Sequence, residues 1–180
     1  MSTGKNIVLI GFMGAGKSTV GTSLAKELNF HFIDTDTLIE QRMGKQIKDI
    51  FVEEGEAVFR KIESQVVGEV SAREDHVIAG GGGVVLDPVN VQLLKKNGII
   101  VYLKADPQVI IERTRQTNIR PLLKVPAPEA EVRRLLSLRE KIYQEVADVI
   151  VDTSNVSISQ VVKEVMAKVG GNTQGQSGGK

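Results

Sequence analysis

The sequence predicts a three-layer α/β fold, a parallel sheet with helices on both faces. Three observations predict it. Five short apolar runs alternate along the chain with segments of helical periodicity, the pattern of successive βα units. The first run passes through a glycine-rich turn directly into a helical pattern. Later helices announce their starts with an acid followed by proline, at Asp87-Pro88 and Asp106-Pro107, an N-cap before a residue preset for the first helical turn. A chain of 180 residues is long enough to bury a full core and short enough to be one domain.

The elements follow in order. Asn6 to Ile10 is the first strand, apolar and β-branched. Ser18 to Leu28 is a helix with Val20, Leu24, Ala25 and Leu28 on one face. The second strand covers about Phe30 to Ile33 and runs into Asp34. About 40 residues, Thr35 to Asp75, then keep helical periodicity, more than a βα crossover needs. They predict an inserted helical pair or triplet over the sheet. His76 to Ala79 is the third strand, ending in four glycines; Ile99 to Leu103 is the fourth. Residues 115–128 contain Arg120-Pro121 and Pro126-Ala127-Pro128 and lack an apolar period. This stretch is either a mobile lid or an ordinary surface loop. A helix from roughly Glu129 to Ala147 leads to the fifth strand, about Asp148 to Val151. Ser157 and Gln160 form a capping box for the last helix, Ile158 to Val169. The expected domain is residues 1–169, with a tail at 170–180 whose Gly, Gln, Asn and Ser content predicts disorder.

Composition narrows the function. Hydrophobic content of 41% and charged content of 25% suit a soluble globular protein. A net charge of +1 argues against a nucleic-acid or membrane surface. The absence of cysteine rules out thiol chemistry, disulfides and cysteine metal sites. No apolar run approaches the ~20 residues that span a bilayer, and residues 1–5 do not form a signal peptide. A cytoplasmic location is the expectation.

Gly11-Phe12-Met13-Gly14-Ala15-Gly16-Lys17-Ser18 matches the phosphate-binding pattern G-x-x-x-x-G-K-[ST], between a strand and a helix. Glycines let backbone N–H groups turn toward phosphate oxygens, and the helix adds its positive end. Lys17 can reach the β- and γ-phosphates and the Ser18 hydroxyl can ligate Mg²⁺. Asp34 and Asp36 close the second strand. In extended chain, residues two apart share a face, so both carboxylates could enter the phosphate crevice, one near Mg²⁺ and one taking a proton from an attacking hydroxyl. Alternatively, one of them caps the helix starting near Thr37. Arg60 and Glu63 share a helix face, as a solvated ion pair or as a clamp for a substrate carboxylate. Gly80 to Gly83 follow the third strand, as a flexible turn or as bare backbone approached by a ligand. Arg113, Arg115 and Arg120 flank the lid-like loop and Arg139 follows it; spacing does not tell which meets a transferring phosphoryl group. His31 and His76 lie in strands and are expected to be structural.

Taken in series, these motifs resemble the shikimate kinases, small phosphate-loop kinases related in build to nucleoside monophosphate kinases. The loop, Asp34-Thr35-Asp36, Phe59-Arg60 with Glu63, the glycine run, Arg120-Pro121-Leu122-Leu123, and Leu138-Arg139 with Tyr143 carry the resemblance, from about Lys5 to Lys168. It implies a five-stranded parallel sheet of order 2-3-1-4-5. It implies ATP and Mg²⁺, and γ-phosphate transfer to the 3-hydroxyl of shikimate in the pathway to chorismate and the aromatic amino acids. By resemblance, Gly14, Ala15, Gly16, Lys17, Ser18 and Thr19 wrap the phosphates, Ser18 and Asp34 serve the metal, and Asp36 binds shikimate and accepts the proton. Arg60 and Arg139 hold the carboxylate, and the Gly81-Gly82-Gly83 backbone meets the substrate. Arg120 descends with the lid, and Arg113 lies against the adenine. Lys17, Asp36 and Arg120 would be the catalytic set. One departure is Gly80, where the family often has threonine, a candidate for ordering metal-bound water. The alternatives are a kinase of another acceptor, such as gluconate or a nucleoside monophosphate, and a silent nucleotide-binding relative. A monomer is expected, since no long exposed apolar stripe is evident.

Overall fold

The computed structural model of the protein describes residues 5–115 and 127–174. Alternation within the strands divides the core in two. In β1 (Asn6–Ile10), Ile7 and Leu9 face one way and Val8 and Ile10 the other, all buried. The same split recurs in β4 (Gly98–Lys104), where Ile99, Val101 and Leu103 oppose Ile100 and Tyr102. Strands buried on both faces read as continuous apolar runs and are what a parallel sheet between helices requires. With β2 (His31–Asp34), β3 (His76–Ala79) and β5 (Val149–Asp152), they form one parallel sheet of order β2-β3-β1-β4-β5, as the resemblance implies.

One face is covered by α1 (Lys17–Leu28) and α8 (Ile158–Gln174), through Val20, Leu24, Val161 and Val165. The other carries α2 (Thr35–Met43), α4 (Glu56–Ser71), α5 (Pro88–Lys96), α6 (Pro107–Arg115) and α7 (Pro128–Val146). The insertion is a triplet, α2, α3 (Ile47–Glu53) and α4. The cap signals are realised. Asp87 accepts from the Val89 amide at 2.8 Å and Asp106 from Gln108 at 2.7 Å. Ser157 and Gln160 cap each other reciprocally.

Several boundaries move by a residue, and two differences from expectation have a visible cause. The second strand starts at His31 rather than Phe30, because the Phe30 amide still bonds to Ala25 at the end of α1. The last helix passes Val169 and includes Gly170 and Gly171, ending at Gln174. The expected disordered tail therefore does not begin at Gly170. Extending a formed helix costs far less than nucleating one, so glycines at its end are tolerated. Residues 175–180, and the lid stretch 116–126, lie outside the described residues. Because every strand runs the same way, their carboxyl ends collect the 11–16 loop, Asp34, the glycine run and Thr153 at one edge of the sheet.

Candidate active site

The loop after β1 takes its shape from three glycines in positive φ, Gly11 at 145°, Gly14 at 79° and Gly16 at 93°. L-residues other than glycine rarely adopt these angles. The turn delivers Lys17 and Ser18 to the first turn of α1, whose N-terminus is the positive end of the helix. The Lys17 ammonium donates to the carbonyls of Gly11 at 2.9 Å and Phe12 at 3.1 Å, curled over its own loop. Gly14, Ala15, Gly16, Lys17, Ser18, Thr19 and Arg113 line one groove of about 350 Å³. Arg113 donates to the carbonyls of Gly14 and Thr153, at 3.3 and 2.8 Å, so it ties the loop to the turn after β5. Thr153, Val156 and Ile158 also line the groove. Sequence reasoning missed these three: Thr153 bonds to the Ala15 carbonyl across 138 positions of chain, and nothing local marks it.

Asp34 resolves its two readings by using both oxygens. Oδ1 caps α2, accepting from the amides of Asp36 and Thr37 at 3.0 and 3.3 Å. Oδ2 accepts from the Ser18 hydroxyl at 2.5 Å. The expectation that Asp34 and Asp36 share a face as extended residues is corrected. The helix begins at Thr35, so Asp34 meets the loop while Asp36 turns into a second cavity. Among the described residues there is no cluster of three or more His, Cys, Asp or Glu side chains able to hold a metal. The Ser18 hydroxyl beside the Asp34 carboxylate is a pair of hard oxygens. That donor set fits Mg²⁺ shared with phosphates and water, and does not fit a tightly held transition metal.

The second cavity, about 90 Å³, is lined by Asp36, Arg60, Glu63, Arg139 and Gly81 to Gly83, with an apolar floor that includes Phe51 and Phe59. It adjoins the loop: a Cβ on Gly82 would lie 3.6 Å from the Met13 amide nitrogen. Arg60 is gripped by Glu63 at 2.8 Å and by Glu56 at 3.1 Å, and lies over the Phe59 ring. Burial works to lower the Arg60 pKa, but its hydrogen bonds to Glu63 and Glu56 outweigh it. Glu63 is 1% exposed and its Oε1 has no hydrogen-bond partner. Burial pushes the Glu63 carboxyl above its ordinary pKa, against the opposing pull of Arg60, and the charge of Asp36 adds to the rise. Arg139, 8% exposed, donates to the Gly82 carbonyl at 3.3 Å and lies over Phe12. The Tyr143 hydroxyl donates to the same carbonyl. The Gly81 amide donates to Thr35 Oγ1 at 3.0 Å.

The structure thus brings Asp36, Arg60, the glycine run and Arg139 together in one cleft, from positions far apart in sequence. Glu63, Phe51, Ile47 and Met13 join them there. Arg120 lies outside the described residues, but the ends of its segment are joined by an ion pair between Arg115 and Glu129. The His31 and His76 rings meet at a tilt, centroids 5.1 Å apart, at the amino ends of β2 and β3, away from the cleft. Arrangement and chemistry together pair a groove for a nucleoside polyphosphate with a small cleft for an anionic hydroxy compound.

Comparison with known proteins agrees. The family model described as shikimate kinase matches residues 13–170. A shikimate kinase of Caldanaerobacter subterraneus subsp. tengcongensis is 49% identical over 90% of this chain and 94% of its own length. One from Thermodesulfovibrio yellowstonii is 44% identical over 90% and 93%. Among solved structures, the shikimate kinase of Acinetobacter baumannii in complex with shikimate superposes with a TM-score of 0.92 at 38% identity, covering 95% of this chain and 96% of that one. The enzyme of Aquifex aeolicus gives 0.82 at 39%, covering 94% and 99%. A gluconokinase from Sinorhizobium meliloti, at 16% identity and 0.59, shares the fold alone. With the model spanning most of the chain and the site's charged groups in one cleft, this chain belongs to the shikimate kinase family.

Proposed function

We propose that this protein transfers the γ-phosphate of ATP to the 3-hydroxyl of shikimate, giving shikimate 3-phosphate and ADP. The observation that carries the reading is the juxtaposition of the loop with a cleft holding two arginines and an aspartate. The amides of Gly14 to Thr19 cradle the phosphates. Lys17, which sits on its own loop carbonyls, exchanges them for the β- and γ-phosphates. Ser18 would hold Mg²⁺ with Asp34 ordering its water, and the ion would supply charge neutralisation on the transferring group. Arg113 lines the groove and would lie against the adenine, and Arg120 would come from the lid onto the phosphates.

In the cleft, the substrate carboxylate lies between Arg60 and Arg139. The Glu56 pair of Arg60 is exposed, so it is weak and is the partner that the carboxylate replaces. Glu63 is buried and keeps the guanidinium aimed. The backbone of Gly81, Gly82 and Gly83 borders the ring, and Asp36 binds its hydroxyls and accepts the proton. Closure excludes water, the competing acceptor. The enzyme acts as a monomer in the cytoplasm, where ATP is supplied.

The test is ADP release from Mg·ATP with and without shikimate, and with carboxylate-free or non-shikimate polyols in competition. Release that depends on shikimate is expected; release with another polyol instead would move the acceptor. Asp36→Asn is expected to keep shikimate affinity within about tenfold and cut kcat by roughly 10²–10⁴. Near-wild-type kcat in that variant removes Asp36 as the proton acceptor.

A further inference from the structure

The cleft's glycine turn carries no side chain that could hold it in place. Two buried hydroxyls do so from opposite sides. Thr35, fully buried, donates its Oγ1 hydrogen to the Ala79 carbonyl at 3.2 Å and accepts the Gly81 amide at 3.0 Å. Tyr143, also fully buried, donates its hydroxyl to the Gly82 carbonyl. Its ring stacks on Tyr102 of β4 with centroids 5.0 Å apart, so the hydroxyl is located by the central sheet. The Gly82 carbonyl is also where Arg139 Nη1 binds, at 3.3 Å. Tyr143 and Arg139 therefore share one acceptor, and the place of that oxygen sets the reach of the arginine into the cleft. Burial raises the Tyr143 hydroxyl to about 12, despite Arg139 and Arg60 nearby, so it remains a donor through the neutral range.

We propose that Thr35 and Tyr143 are positioning residues for shikimate. From either side of the Gly81-Gly82 turn, they fix the backbone and the Arg139 guanidinium that receive the substrate. Neither needs to touch it. Four glycines in a row have little preference for one conformation, and a site placed about 1 Å off loses much of its effect. The inference rests on the reading that Arg139 holds the substrate carboxylate.

The experiment is steady-state kinetics on Tyr143→Phe, Thr35→Val and Thr35→Ser, with a double-mutant cycle through Arg139→Ala. Tyr143→Phe and Thr35→Val are expected to raise KM for shikimate about 5- to 30-fold, the scale of one buried hydrogen bond. KM for Mg·ATP should stay within about twofold, since the loop makes neither bond. Thr35→Ser, which keeps the hydroxyl, should return KM to within about twofold of wild type. In the Arg139→Ala background, Tyr143→Phe should add well under its single-variant effect, because both act through one carbonyl. Equal rises in the two KM values, or a lower melting temperature with unchanged KM for shikimate, would overturn the positioning role while leaving the Arg139 reading intact. An Arg139→Ala variant with unchanged KM for shikimate would overturn both. If Tyr143→Phe does not fold, the Thr35 pair decides alone.

Discussion

Two glycine-rich turns sit side by side at the carboxyl ends of β1 and β3, and they need glycine for different reasons. At Gly14 and Gly16 of the phosphate loop the need is chiefly conformational, whereas at Gly11 the Leu103 carbonyl, 2.6 Å from where a Cβ would lie, also demands room. Gly14 and Gly16 hold φ of 79° and 93°, and a Cβ on Gly16 would meet nothing closer than Val20 Cγ2 at 3.9 Å. In the Gly80–Gly83 run no residue has positive φ, and at Gly80, Gly81 and Gly83 the need is room. A Cβ on Gly81 would lie 2.7 Å from Asp36 Oδ1 and 2.9 Å from Glu63 Oε1; one on Gly83 would lie 2.6 Å from an Arg60 nitrogen. The first turn shapes backbone around a ligand. The second lets the site's own side chains press against bare α-carbons.

Gly81→Ala should break the cleft most severely. Its methyl meets the carboxylate proposed to take the proton, and Glu63 behind it is buried and cannot retreat. A displacement of about 1 Å at a reacting group costs roughly 10² in rate. We expect kcat to fall by about that factor with KM for Mg·ATP unchanged. If kcat holds, the room at Gly81 is not what aligns Asp36.

A second substitution series separates the two demands directly. Gly14→Ala forces alanine into the left-handed region, at about 1–2 kcal/mol, a loss of about 2–8 °C in melting temperature for a chain of this size. Gly14→Asn has the same Cβ but tolerates that region better, so it should recover part of the loss. At Gly83, where φ is −109°, Asn should do no better than Ala, and both should raise KM for shikimate about tenfold by displacing Arg60. Equal behaviour of Asn and Ala at Gly14 would mean that space, including the Thr114 methyl 3.1 Å away, governs the loop as well.

The contrast also explains what the sequence made legible. The loop is contiguous, so its spacing alone named Lys17 and Ser18. The sheet was legible because strands buried on both faces show unbroken apolar runs, and its order came with the family resemblance. The cleft draws on α2, α3, α4, the glycine run and α7, so its charged members, Phe59 and the glycines stood out while Met13, Ile47 and Phe51 did not. Thr35 and Tyr143 were named among the family motifs, but no local pattern records their hydroxyl bonds to backbone 46 and 61 positions away. The aspartate pair was visible but its geometry was misread, because capping by Asp34 starts the helix one residue before Asp36. The glycine run was noticed for the right reason, close approach to bare backbone, but the approaching atoms belong to Asp36, Glu63 and Arg60.

Crowding at Gly81 has a smaller, pH-dependent signature. Burial raises the Glu63 pKa above its ordinary 4.5, with the Asp36 charge adding and Arg60 opposing. A carboxyl with a raised folded-state pKa binds its proton more tightly in the fold than in the unfolded chain. Stability is therefore lost as pH rises from the ordinary value through the raised one. Glu63→Gln lacks that term. The melting temperature of wild type minus that of Glu63→Gln should fall as pH rises above the ordinary carboxylate range. A rising difference would mean that the Arg60 pair, not burial, dominates at Glu63.

Gly80→Thr should have the smallest effect and is the sharpest probe of the run. Position 80 has ordinary φ, so threonine meets no backbone strain; its Cβ would lie 2.9 Å from Val84 Cγ1 and 3.6 Å from the Leu9 carbonyl. Val84 is fully buried, so making way should cost about 1 kcal/mol, or roughly 2–4 °C. The hydroxyl could act elsewhere. The Gly80 amide bonds to Leu9, at the entry to the loop, and its neighbour Ala79 pairs in register with Asp34, which holds Ser18. Position 80 is thus one residue beyond the strand neighbour of Asp34, whose carboxylate accepts from Ser18. We expect the Mg²⁺ concentration for half-maximal rate to fall by up to about threefold, a few tenths of a kcal/mol from one added water-mediated contact, while KM for shikimate stays within about twofold. An unchanged Mg²⁺ requirement with the same loss of stability would place Gly80 with Gly83, as a glycine that only makes room.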